Sequence, residues 1–141
     1  MKKIKLVYTI VFILFFSGNL LAETNYFNEG KQLYEKKSYE KSKFKFEKDL
    51  VFNPKNEKSY LYLAKIFKNL EKKNLEENNL NTVILLNPKN EEAIYLLSLL
   101  NIDVSNFSKA KELIDTMKLV CVKLCNSTKE LEDKLNSSLK Q

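Results

Sequence analysis

Cys121 and Cys125, four residues apart, are the only cysteines of this chain and its most reactive side chains. Their chemistry can be narrowed by spacing. A thiol oxidoreductase motif places two residues between its cysteines and sits beside a βαβ pattern, neither of which holds here. Two thiolates without histidine are too few for a zinc site. A disulfide remains, since an even pair in an oxidising compartment invites one. On a regular helix, residues four apart stand near the upper limit for bridging, with poorly aligned side-chain vectors. The expectation is therefore a bridge, provided Cys121–Asn126 leaves helical geometry; two reduced, packed thiols are the alternative. So small a closed loop would stabilise by about 2 kcal/mol and mainly pin its junction.

Other chemistry is thin. All 24 basic residues are lysine, and histidine, arginine and tryptophan are absent. The commonest general base and metal ligand is thus missing. So is the bidentate fork that reads guanine edges and clamps phosphates, which makes the formal charge of +6 a weak argument for nucleic acid. A carboxylate-only hydrolase would need a paired acid in a cleft, and no pair among Glu76, Glu77, Asp103 and Asp115 is singled out. No enzyme, cofactor, metal or nucleic-acid partner is expected.

The elements that hold these residues begin with a leader. Three lysines in Met1–Lys5 precede an apolar run over Leu6–Phe16 broken only by Thr9, and Ser17–Ala22 ends in a small residue. Basic, apolar, then small is the pattern of a secretory signal peptide over residues 1–22. Cleavage after Ala22 leaves 21 lysines against 18 acids, close to neutral. The alternative is an uncleaved anchor spanning residues 4–22, because Leu20 is bulky for its place and the apolar stretch is just long enough to span.

Asn-Pro-Lys-Asn then occurs twice, at Asn53–Asn56 and Asn87–Asn90, 34 residues apart. A period of about that length marks stacked helix–turn–helix units. Pro54 and Pro88 each stop a helix, while Asn56 and Asn90 cap the next one, with Glu57, Glu91 and Glu92 at its positive end. Gly30, Ala64 and Ser98 share the same period and let paired helices approach closely. The predicted organisation is all-α: three repeats over residues 23–56, 57–90 and 91–124, then a capping helix over 126–141. Ser127–Glu130 fits a capping box, and Leu131, Leu135 and Leu139 form the apolar edge of that cap. Asp49 and Glu76 stand where the family resemblance given below implies small residues. A lone buried carboxylate is costly, so Glu76 is expected to be displaced at the Glu71–Asn74 turn or rotated outward. The third unit has Val122 where a closing proline belongs.

Residues 23–124 resemble tetratricopeptide repeats. The residues that carry this are Tyr26, Gly30, Tyr39, Phe46 and Pro54; Tyr60, Leu63, Ala64, Phe67 and Pro88; and Leu97, Ser98, Phe107 and Ala110. The resemblance implies an α-solenoid that binds a protein partner in a concave groove lined by the first helix of each unit. It places Phe27, Lys31 and Tyr34, then Leu61, Lys65 and Lys68, then Tyr95, Leu99 and Ile102, in that groove. Phe27, Tyr62, Glu92 and Leu96 occupy positions where carboxylate-clamping members carry clamp residues, and only Lys31 fits, so the clamp is absent. The basic cluster Lys36, Lys37, Lys41, Lys43, Lys45 and Lys48 is interleaved with Glu35, Glu40 and Glu47 and reads as a solvated face. With the leader and the Lys/Asn bias, the expectation is a non-catalytic adaptor of a bacterial cell envelope, periplasmic if cleaved. The alternative is a membrane-anchored structural subunit that uses its convex face or self-associates.

Overall fold

The computed structural model describes residues 25–140, so the expected signal peptide or anchor lies outside the described residues. Seven helices follow: α1 (Tyr26–Glu35), α2 (Tyr39–Phe52), α3 (Glu57–Asn69), α4 (Lys73–Leu86), α5 (Glu91–Asp103), α6 (Phe107–Val120) and α7 (Asn126–Ser138). No strand occurs among the described residues. The hairpins α1–α2, α3–α4 and α5–α6 repeat in register: their first helices end at Glu35, Asn69 and Asp103, and their second begin at Tyr39, Lys73 and Phe107. Each hairpin turn passes through one left-handed residue, Lys37 (φ 56°), Glu71 (φ 56°) and Ser105 (φ 59°). None is glycine, so each costs about 1 kcal/mol of backbone strain that packing must offset.

Between hairpins the asparagines behave as expected. The Asn56 side chain accepts the Lys58 N–H at 3.2 Å, and that of Asn90 accepts the Ala93 N–H at 3.0 Å. After α6, Cys121 turns extended (φ −64°, ψ 141°), which takes the chain out of the helix. Cys121 and Cys125 are bonded, with their Cα atoms 5.2 Å apart. The capping box does not form. Cys125 precedes α7 as its cap without a side-chain bond, so Ser127 is already inside the helix. Glu130 instead accepts the Tyr95 hydroxyl at 3.1 Å.

Three apolar clusters run along the stack. Phe46, Leu63, Ile66 and Phe67 join the first two hairpins. Leu80, Val83, Ala93, Ile94, Leu97 and Met117 are among those joining the second and third. Leu131 and Leu135 of α7 close on Ile102, Ala110 and Ile114. Leu139, expected on the same edge, is exposed. Gly30 has a steric reason: a Cβ there would stand 2.9 Å from the Phe46 ring, and Ser42 Oγ donates to the Gly30 carbonyl at 2.8 Å.

The two misplaced carboxylates are both buried. Asp49 is 2% exposed and accepts from Asn53 Nδ2 (3.0 Å), Asn56 Nδ2 (2.7 Å) and Ser59 Oγ. Glu76 is 5% exposed, and α4 keeps the common register, so neither the displaced turn nor the outward rotation occurs. The identical three-residue turn holds α4 in place and takes Glu76 inside with it. The Glu76 carboxylate makes no hydrogen bond or ion pair among the described residues, and burial raises its pKa, with Asp103 adding to the rise and Lys68 and Lys73 opposing it.

Candidate partner-binding face

The first helices, α1, α3 and α5, are linked side by side through their own side chains. The Phe27 and Tyr62 rings meet edge-on at 5.8 Å, joining α1 to α3. Lys65 pairs with Glu92 at 2.6 Å, joining α3 to α5, and stands 5.0 Å from the Tyr62 ring centre. Tyr95 reaches Glu130, joining α5 to α7. Helical spacing puts these residues on one stripe, and successive helices continue it.

The nine expected groove residues divide into three groups. Lys31 and Lys68 are exposed, and Lys65, Tyr95 and Leu99 are half-buried with one side open. Phe27 and Tyr34 are half-buried but committed to packing. Phe27 lies against Phe46 at 5.7 Å, and Tyr34 lies against Tyr62 at 5.2 Å and Tyr39 at 5.6 Å. Leu61 and Ile102 leave the accessible wall altogether, at 8% and 3% exposure. Leu61 packs into the cluster shared with α5, and Ile102 into that shared with α7. In each case the next helix along the wall, α5 for Leu61 and the capping α7 for Ile102, covers an apolar side chain.

Electrostatics sharpen the picture. Lys65 is neutralised by Glu92, while Lys68 has no ion pair among the described residues. The Tyr95 hydroxyl has its pKa raised, first by burial and then by its bond to the Glu130 carboxylate. Tyr34 is also raised, chiefly by burial and by Tyr39. Neither phenol ionises near neutrality, so both act as hydrogen-bonding, apolar-bodied anchors. Beyond Tyr95 the face opens into a cleft of about 580 Å³ lined by Asn90, Glu91, Glu92, Tyr95, Leu96, Lys123 and Leu124. Glu91 shapes its floor by accepting the Lys123 and Leu124 N–H groups at 2.9 and 2.6 Å. Those bonds lower its pKa, so the carboxylate is charged.

Sequence reasoning passed over Tyr62, Glu92 and Leu96 as wall residues because it tested them only as clamp positions. Tyr62 and Leu96 stand 34 residues apart, and that common position was the available signal.

Solved structures superpose on this arrangement across most of its length. The first repeat domain of Spaghetti (RPAP3), bound to the HSP90 peptide SRMEEVD, matches with a TM-score of 0.73 at 17% identity, covering 82% of this chain and 91% of that one. The TPR2B domain of yeast Sti1, in a complex with Hsp70, gives 0.71 at 18% identity, with 83% and 95% covered. The Yersinia enterocolitica type III secretion chaperone SycD, in complex with a peptide of the translocator YopD, gives 0.68 at 13% identity, with 82% and 88% covered.

The fold is that of a tetratricopeptide-repeat domain. No protein-family model and no curated protein matches the sequence. In a tetratricopeptide array the first helices form the concave side, so the linked stripe of α1, α3 and α5 is the inner wall.

Proposed function

We propose that this chain is a non-catalytic scaffold that holds a partner peptide or domain along the inner wall of α1, α3 and α5. The observation that carries the reading is the continuity of that wall. Exposed Lys31 and Lys68, half-open Tyr95 and Leu99, and the cleft beside Leu96 and Leu124 form one uncovered path across three repeats. The neighbouring folds were solved holding peptides, which supports a protein ligand. Aromatic bodies flanked by lysine suit a segment with apolar anchors and some acidic character. A free C-terminal carboxylate is a poor fit, because Glu92 stands where a clamp needs a cation.

The basic, apolar and small-residue order of residues 1–22 supports export, and with it a place in a bacterial cell envelope, in the periplasm if the leader is removed. No helix among the described residues is long and apolar enough to cross a membrane.

The test is position-specific crosslinking in living cells. A photo-crosslinking amino acid replaces Lys31, Lys68 or Glu92 on the wall, or Phe44 or Asn78 on the second helices. The wall positions should capture one common protein, and the second-helix positions should not. Tyr95→Ala should then weaken binding of the captured segment by about tenfold, as loss of an aromatic anchor does. Capture from the second helices alone would overturn the reading.

A further inference from the structure

The five most exposed large hydrophobic side chains among the described residues are Leu119 (86%), Val122 (82%), Leu85 (81%), Val51 (75%) and Phe52 (61%). All five belong to one edge of the solenoid, where second helices end and first helices begin. The contacts define that edge. Tyr26, at the start of α1, stacks on Phe52, at the end of α2, with ring centres 5.9 Å apart. Glu57, at the start of α3, accepts from Asn87 Nδ2 just past α4, and Glu91, at the start of α5, reaches the segment just past α6. Val51, Leu85 and Leu119 recur at 34-residue intervals, so they take the same place in successive hairpins and form a row.

A second row accompanies it. Lys55, Lys89 and Lys123 recur at the same interval, four residues after each member of the first. All three are exposed, and none is ion-paired among the described residues. The acids nearest the edge are otherwise engaged: Glu57 with Asn87, Glu91 with backbone N–H groups, Glu92 with Lys65 and Asp115 with Lys118. Tyr26 and Lys48 add an aromatic ring with an ammonium 5.4 Å above its centre. Solitary exposed leucines need no explanation. A threefold row of them beside a threefold row of unpaired lysines does, because soluble surfaces seldom expose contiguous apolar patches.

We infer that this edge docks on an anionic lipid surface, with Val51, Leu85, Leu119 and Val122 entering the acyl boundary and Lys55, Lys89 and Lys123 meeting the headgroups. Aliphatic side chains backed by lysine are the composition that binds the interface of charged bilayers. Charge selects this occupant over a second copy, which would set lysine row against lysine row. The point of attachment agrees, for the segment carrying the apolar run Leu6–Phe16 joins the domain at Tyr26, on this same edge. The inner wall of α1, α3 and α5 meets this edge at Lys123, which also lines the cleft beside Tyr95, so a domain docked by its edge keeps Lys31, Lys68 and Leu99 free for a partner.

The test uses the chain from Glu23 onward, which contains all three clusters, with helical content checked by circular dichroism. Flotation with vesicles of equal parts phosphatidylglycerol and phosphatidylcholine should carry the protein, and pure phosphatidylcholine vesicles should not. Leu85→Ser with Leu119→Ser should lower partitioning about tenfold or more. Lys55→Glu, Lys89→Glu and Lys123→Glu together should lower it on the order of a hundredfold at low salt. Tyr95→Ala should leave it unchanged, which separates this edge from the inner wall. Equal binding to both vesicle types, or unaltered partitioning of the serine variant, would overturn the inference. So would sedimentation showing that the aliphatic row closes a dimer in place of binding vesicles.

Discussion

At the first junction the buried centre is a carboxylate, Asp49, held by Asn53, Asn56 and the Ser59 hydroxyl. Thirty-four residues on, Val83 takes that place and Ala93 stands where Ser59 stood, both fully buried. The same tetrapeptide borders both sites, and its last asparagine caps the following helix in both. Only at the first junction does that asparagine also donate inward. Two junctions of one backbone geometry are thus closed by different forces. One satisfies a buried charge with aimed donors, whose loss is costly even though their net gain is modest. The other removes apolar surface from water and needs no direction.

Exchanging the two chemistries should break the comparison most severely. Val83→Asp places a carboxylate opposite Ala93 without the hydroxyl that Ser59 supplies and with Asn87 already donating to Glu57, and is expected to cost about 3 kcal/mol in chemical denaturation. Asp49→Val alone strands the Ser59 hydroxyl and should cost about 2 kcal/mol. Asp49→Val with Ser59→Ala rebuilds the second junction at the first, and should recover to within about 1 kcal/mol of the parent chain. A double variant no better than the single one would show that the polar closure carries more than its hydrogen bonds.

The third junction supplies the next test, since a covalent bond there adds to an apolar closure at Met117. Reducing Cys121–Cys125 should lower stability by about 2 kcal/mol. The loosening should be read as faster amide exchange in 121–126 and α7, with α1 to α4 little changed. Uniform destabilisation along the array would contradict a junction-specific role.

A smaller effect of opposite sign is expected at Glu76, the buried carboxylate that lacks the donors Asp49 enjoys. Its folded pKa is raised above the ordinary 4.5. The favourable side of this linkage is therefore fully present below that value and is lost as pH climbs through the folded pKa. Glu76→Ala, which copies Ala110 at the equivalent place, should stabilise by about 1 kcal/mol at neutral pH. That advantage should shrink on acidification, as thermal melts across pH 4 to 8 would show. An advantage that grows in acid would mean a partner holds the ionised form.

Much of this architecture was legible in the chain because it rests on local chemistry. Proline stops, asparagine caps and the Gly30, Ala64 and Ser98 series each declare themselves within a few residues. The left-handed turns did not, since Lys37, Glu71 and Ser105 give no glycine to mark them. Asp49 was read as a misfit because its donors lie four, seven and ten residues downstream, beyond any helical pattern. Of the residues that the family resemblance implied for the groove, Lys31 and Lys68 are exposed and Tyr95 is half-buried. Leu61 and Ile102 were misassigned because their burial depends on α5 and α7, a tertiary effect that periodicity within one helix does not reveal. The capping box failed for a similar reason: the disulfide sets where α7 starts, and Tyr95 takes Glu130.

Glu57 and Glu91 each open a hairpin, and each carboxylate finds its donors where that same hairpin ends, about thirty residues later in the chain. A polypeptide made from its amino end therefore leaves each of these carboxylates idle until its own hairpin is whole. The final handhold differs, because the donors at Lys123 and Leu124 lie inside the ring that Cys121 and Cys125 close. Each of these hairpins is thus clasped from end to end, and the clasp of the third hairpin is locked by oxidation.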